Sequence, residues 1–222
     1  MRVLAPLLRL RVTITYFVLT LGATAFVSSL HERAQWHLLL EASTNLHNLG
    51  DGHIGTLVAS AFLTDGDINW VWLGAVALLF AVAEWFAGWK RFLLTFTAGH
   101  VGATALVALG LFVGIRADWI EDSLAVAVDV GVSYAAAAVA GSLIRYLPRP
   151  WRAAWAGAWI VFVVFAAVSE PSFTAFGHVA ALSIGLVLGA LYLRRDGKPL
   201  LLNQSHRTTT ERAHPTPAMT SL

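Results

Sequence analysis

The sequence predicts an all-α fold: a polytopic membrane protein with six transmembrane helices in one bundle. Three observations carry this prediction. Only 13% of the 222 residues are charged and 57% are hydrophobic, whereas ordinary soluble domains carry about 25% charged residues. The apolar residues are gathered in blocks of about 16 to 24, the length a helix needs to cross some 30 Å of hydrocarbon at about 1.5 Å per residue. The block ends hold Trp70, Trp72, Trp85, Trp89, Trp119, Trp151 and Trp155, as an interfacial aromatic belt requires.

Taken in order, the blocks are Val12–Leu30, Trp70–Ala87, Phe92–Ile115, Leu124–Ile144, Ala153–Val168 and Phe173–Leu193. Arg2, Arg9 and Arg11 precede the first. Lys90 and Arg91 separate the second from the third; Arg145, Arg149 and Arg152 separate the fourth from the fifth. Arg194, Arg195 and Lys198 follow the sixth. The alternate connections hold only Arg33 and Arg116 among many acids, a split of 11 basic residues against 2. Basic residues stay on the cytoplasmic side, so both termini are expected there and the protein in the plasma membrane. A cleavable leader ending near Ala23-Thr24-Ala25 is the rival reading of the start, and the charge split favours a retained span.

The first outer connection, His31–Asn69, is the longest. Its apolar stretch "HIGTLVASAFL" is too short to span and is expected at the interface or dipping in among the helices. Residues 1–199 form the membrane domain; Leu200–Leu222 is polar, rich in Thr and Pro, and reads as a disordered cytoplasmic tail. Cysteine is absent, which excludes disulfides and thiolate metal sites. The net charge of +2 comes from small clusters between apolar blocks and does not suggest nucleic acid. No metal or organic cofactor is expected.

Ionisable residues inside a bilayer are costly and face a bundle interior or a wet cavity. Glu84, His100, Asp129 and His178 are the candidates, joined by Ser133. Ser133 lies eleven residues past Asp122, and His178 eight past Glu170. At helical rise these are depths of roughly 16 and 12 Å on parallel spans. The fourth block presents Ser133, Ala137 and Gly141, and the sixth presents Gly177, Ala181, Gly185 and Gly189. Small residues at four-residue spacing let helix backbones approach closely. A serine and a histidine brought together this way can form a nucleophile and its base. The alternatives are a serine bonded to the carbonyl one turn back and a histidine bonded across helices. Asp129 falls one turn before Ser133 on the same helix face, without an identified partner. Glu84, close to Lys90 and Arg91, reads as a structural ion pair or helix-end hydrogen bond, and His100 as a structural interhelical bond. A proton relay through Glu84, His100 and Asp129 is a further option, against which stands the lack of an inverted repeat.

With these residues the sequence resembles the rhomboid intramembrane serine proteases, and more closely the rhomboid-like membrane proteins of actinobacteria. "GVS" at Gly131–Ser133 resembles the family's nucleophile motif. "GHVAALSIG" at Gly177–Gly185 resembles its histidine helix, and "EWFAGWKRF" resembles its Glu-x-x-x-Gly pattern, with Glu84 and Gly88 in those places. The resemblance implies catalysis by Ser133 and His178 on transmembrane segments of membrane-protein substrates, cut near the outer leaflet within the lipid bilayer. It implies oxyanion or supporting roles for Gly131, Tyr134, Asp129 and Asn69. Two departures stand out. Tyr134 occupies the position of the motif's second glycine. The region "DGDINWVWLG" lacks the family's His-x-x-x-Asn pattern, leaving Asn69 as the one amide close by. Asn45, His47, Asn48 and His53 in the first outer loop are possible substitutes, or members of an ordinary turn. The second reading is a catalytically inactive rhomboid-like protein that binds membrane helices.

Overall fold

The computed structural model describes residues 8–64 and 69–196. Lys198 and the proposed tail lie outside the described residues. Among these residues all regular structure is helical. The elements are α1 (Arg11–Ser28), α2 (Glu32–Ala42), α3 (Leu46–Gly50), α4 (Thr56–Ala59), α5 (Trp70–Ala87), α6 (Trp89–Arg116), α7 (Ser133–Ser142), α8 (Arg149–Ser169) and α9 (Phe173–Asp196), with 3₁₀ turns at Ser60–Phe62, Asp122–Val126 and Leu143–Arg145. Five described helices, α1, α5, α6, α8 and α9, are long and apolar enough to cross a membrane. The protein is a helical membrane bundle.

The fourth predicted segment departs from expectation. Leu124–Ile144 is not one helix but a 3₁₀ turn, an extended stretch and the ten-residue α7. The expectation that Leu124–Ile144 is one continuous helical span is corrected accordingly. So is the placement of Asp129 one helical turn before Ser133, because Asp129 lies in the extended stretch. The cause is local. Gly131 has φ +116°, a conformation that breaks a helix and favours glycine. The backbone around it pairs instead with the first outer loop. The Ser43 hydroxyl accepts from the Asp129 N–H at 2.7 Å. Thr44 donates to the Asp129 carbonyl from its N–H at 3.1 Å and its hydroxyl at 3.0 Å. The Ser60 carbonyl accepts from the Gly131 N–H at 2.7 Å. Irregular backbone survives at membrane depth only where protein satisfies it, and here the loop does so. The apolar stretch of that loop dips into the bundle: Ser60, Ala61 and Leu63 are all buried.

Helix α7 is the centre of the molecule. Every residue from Tyr134 to Ser142 is buried. Its alanines and glycine let neighbours approach to backbone contact, the mode by which helices associate without a hydrophobic drive between them. A Cβ at Gly185 on α9 would collide with the backbone of Ala138. One at Gly141 would sit 2.8 Å from the Leu182 carbonyl oxygen, and one at Gly189 would sit 2.9 Å from that of Ser142. On the other side, Gly99 of α6 lies against Ala138. Helix α8 is the opposite case, with Val163 as its only buried residue.

Candidate active site

Ser133 is the first residue of α7, with Val132 as its N-cap. The opening N–H groups of a helix have no intrahelical partner, and the helix dipole puts partial positive charge there. The break at Gly131 thus gives Ser133 what a continuous helix would deny it: a main-chain N–H free to point at an anion. Ser133 and His178 line one cavity of about 660 Å³, whose walls include Trp72 and Leu79 of α5 and Trp155 and Trp159 of α8. Ser133 and His178 are both partly buried. They share the cavity without a hydrogen bond between them among the described residues.

Tyr134 reaches the other side of the histidine. Its ring stands edge-on to the His178 ring, with centroids 5.2 Å apart and planes at 75°. Gly177, one residue before His178, makes room: any side chain there would overlap the Tyr134 ring. The Tyr134 hydroxyl is directed toward the Asp129 carboxyl, yet neither that hydroxyl nor Asp129 Oδ2 closes a hydrogen bond among the described residues. Tyr134 therefore packs on the candidate base while its hydroxyl faces Asp129. This bulky residue fits because a glycine on α9 answers it.

The remaining candidates have separate places. Asn69 is exposed and caps α5, its side-chain oxygen accepting from the Trp72 N–H at 3.0 Å; it does not line the cavity with Ser133. Asn45 caps α3 by accepting from the Asn48 N–H at 2.8 Å. Asn48 donates to the Leu40 and Ser43 carbonyls at 2.8 and 2.9 Å, and His47 pairs with Asp51 at the surface. These loop amides build the turn. Glu84, 1% exposed, caps α1: its two oxygens accept from the Val12 and Thr13 N–H groups at 3.0 and 2.8 Å. It makes a helix-end hydrogen bond, not an ion pair with Lys90 or Arg91. His100, 3% exposed, bonds the first outer loop rather than another long helix, as Nε2 lies 3.0 Å from the Leu57 carbonyl and 3.2 Å from Ser60 Oγ.

Several contributors escaped the sequence reading. Ser43, Thr44 and Ser60 hold the lead-in to Ser133, but single hydroxyl residues in a loop leave no pattern. Trp155 and Trp159 line the cavity, and the Trp155 indole N–H donates to the Ala140 carbonyl at 2.8 Å. Their four-residue spacing on one helix face was the available signal. Arg145, read as a topology charge, is 1% exposed and lies 3.5 Å from Asp196. That aspartate also takes both terminal nitrogens of Arg91.

A family model described as rhomboid-like protein matches residues 9–198 of the chain. No curated relative and no solved structure matches it.

Proposed function

The chain belongs to the rhomboid-like protein family, and from its site we propose that it is an intramembrane serine protease cutting transmembrane segments near the outer leaflet. The observation that carries the proposal is the meeting of Ser133, at the N-terminus of α7, and His178 on the wall of one apolar cavity. Ser133 Oγ attacks the scissile carbonyl while His178 takes its proton. The developing oxyanion accepts from the Ser133 main-chain N–H, and removal of one such donor commonly costs 10²- to 10³-fold in rate. His178 returns the proton to the leaving amine, leaving an acyl-enzyme that water, deprotonated by the same histidine, hydrolyses. A peptide bond inside a helix is hidden, so segments with glycine or other weak helix formers at the cut are preferred substrates. The basic residues favour both termini on the cytoplasmic side of the plasma membrane.

A fluorophosphonate probe applied to native membranes tests the nucleophile. Labelling is expected in the wild type and absent in Ser133→Ala, with strong loss in His178→Ala. Equal labelling of wild type and Ser133→Ala rules out Ser133.

A second reading is a non-catalytic member that binds membrane helices in the same cavity. It is favoured by the missing Ser133–His178 hydrogen bond and by Tyr134 packed on the histidine. Partners crosslinked equally to wild type, Ser133→Ala and His178→Ala, with no processing in any of them, would support it over the first.

A further inference from the structure

Residues 57–62, the end of α4 and the 3₁₀ turn that follows it, are gripped from two sides and grip the lead-in to Ser133 from a third. From α6, His100 Nε2 faces the Leu57 carbonyl at 3.0 Å and Ser60 Oγ at 3.2 Å. A carbonyl only accepts, so Nε2 carries the proton and donates. His100 Nδ1 is buried and has no partner among the described residues, so all of the ring's hydrogen bonding goes to this turn. From α1, the Tyr16 hydroxyl donates to the Ala61 carbonyl at 2.5 Å. The turn then presents the Ser60 carbonyl to the Gly131 N–H at 2.7 Å, its shortest backbone tie to the lead-in. Gly131 sits at φ +116° two residues before Ser133. A glycine in that region has several wells open to it, and a single strong acceptor at its N–H selects one.

We infer that His100 is a positioning residue: by fixing the Leu57–Ser60 turn, it holds Gly131 in the conformation that aims the Ser133 N–H and hydroxyl into the cavity. This rests on the serine-protease reading for its catalytic consequence, while the conformational tie stands independently. The buried imidazole acts through Ser60 and Gly131 and does not touch the reacting atoms.

The test uses full-length protein carrying His100→Leu, His100→Gln or Ser60→Ala, with two readouts. The first is amide hydrogen exchange, followed by mass spectrometry, over residues 129–134 and over α7 and α9. The second is the concentration dependence of fluorophosphonate labelling. In His100→Leu, exchange at 129–134 is expected to quicken at least tenfold while the interiors of α7 and α9 keep wild-type protection. The limiting labelling rate falls about tenfold, and the half-saturating probe concentration is unchanged. Glutamine, which keeps a side-chain N–H donor, restores most of both, and Ser60→Ala, which spares the Ser60 carbonyl, gives a smaller effect in the same direction. Should His100→Leu not fold, His100→Gln and Ser60→Ala carry the same comparison. Unchanged exchange at 129–134 overturns the inference, as does acceleration spread evenly over the whole bundle. A wild type that never labels sinks the protease reading instead, and the exchange arm still decides the tie.

Discussion

At the scale of single residues, burial separates polar groups that hold the fold from those that face the cavity. Glu84 is a carboxylate with almost no exposure, and both of its oxygens are spent on the first N–H groups of α1. An acceptor at a helix N-terminus is favoured by the unpaired donors and by the dipole. Glu84→Ala leaves one buried and one partly buried donor unmet, at about 1–3 kcal/mol for the buried one, so its melting temperature in detergent should fall by several degrees. Glu84→Gln keeps one acceptor and should lie between. Fluorophosphonate labelling at a temperature where both variants are folded should match the wild type, since Glu84 is not among the residues lining the cavity. The sequence placed Glu84 correctly at a helix end, because a lone acid beside a block boundary has few other partners. It did not identify α1 as the helix, since the bond spans 72 positions of sequence.

At the scale of elements, the contact between α7 and α9 is built from missing side chains. The four-residue stripe Gly177, Ala181, Gly185, Gly189 was legible because small residues in an apolar block have one strong physical reading. The break before Ser133 was not legible: "AVAVDVGVSY" is as apolar as its continuation, and one glycine inside a predicted helix is a weak signal. What broke the helix was tertiary, the hydroxyls and carbonyls of a loop some 70 to 90 residues earlier. The close contact makes a sharp prediction. Gly185→Ala drives a methyl into the Ala138 backbone, whereas Gly157→Ala on α8 meets nothing within 4 Å. The first should lower the melting temperature clearly and broaden the size-exclusion peak. Gly157→Ala should be neutral or slightly stabilising, as glycine-to-alanine changes in helices commonly are by up to about 1 kcal/mol.

At the scale of the whole molecule, the helical membrane fold and most helix positions were readable from block length and charge spacing, and the family from the short motifs around Ser133, His178 and Glu84. The ion pairs that close the bundle were not, because a topology charge and a structural charge look alike in sequence. Asp196, just beyond the last apolar block, gathers Arg91 from α6 and Arg145 from the turn after α7. The Arg91 guanidinium holds its carboxyl below the ordinary carboxylate range. A depressed carboxyl stabilises the fold above its unfolded pKa of about 3.9, and that contribution is lost as pH falls through the lower folded value. Asp196→Asn should therefore melt below the wild type at pH 7, partly because Arg145 is left buried without its counter-charge. The gap should narrow below about pH 4. A gap that persists unchanged in acid would mean that the charge of Asp196 contributes nothing.

The burial of α7 also has a consequence for biosynthesis. Ten residues rise about 15 Å, roughly half the hydrocarbon thickness, and α7 meets lipid almost nowhere. Its closest partner, α9, is made some 40 residues later. Until α9 leaves the ribosome, α7 has α1, α5, α6, α8 and the outer loop to lean on, but lacks the neighbour that approaches its backbone most closely. The helix that carries His178 is therefore also the one that closes the core.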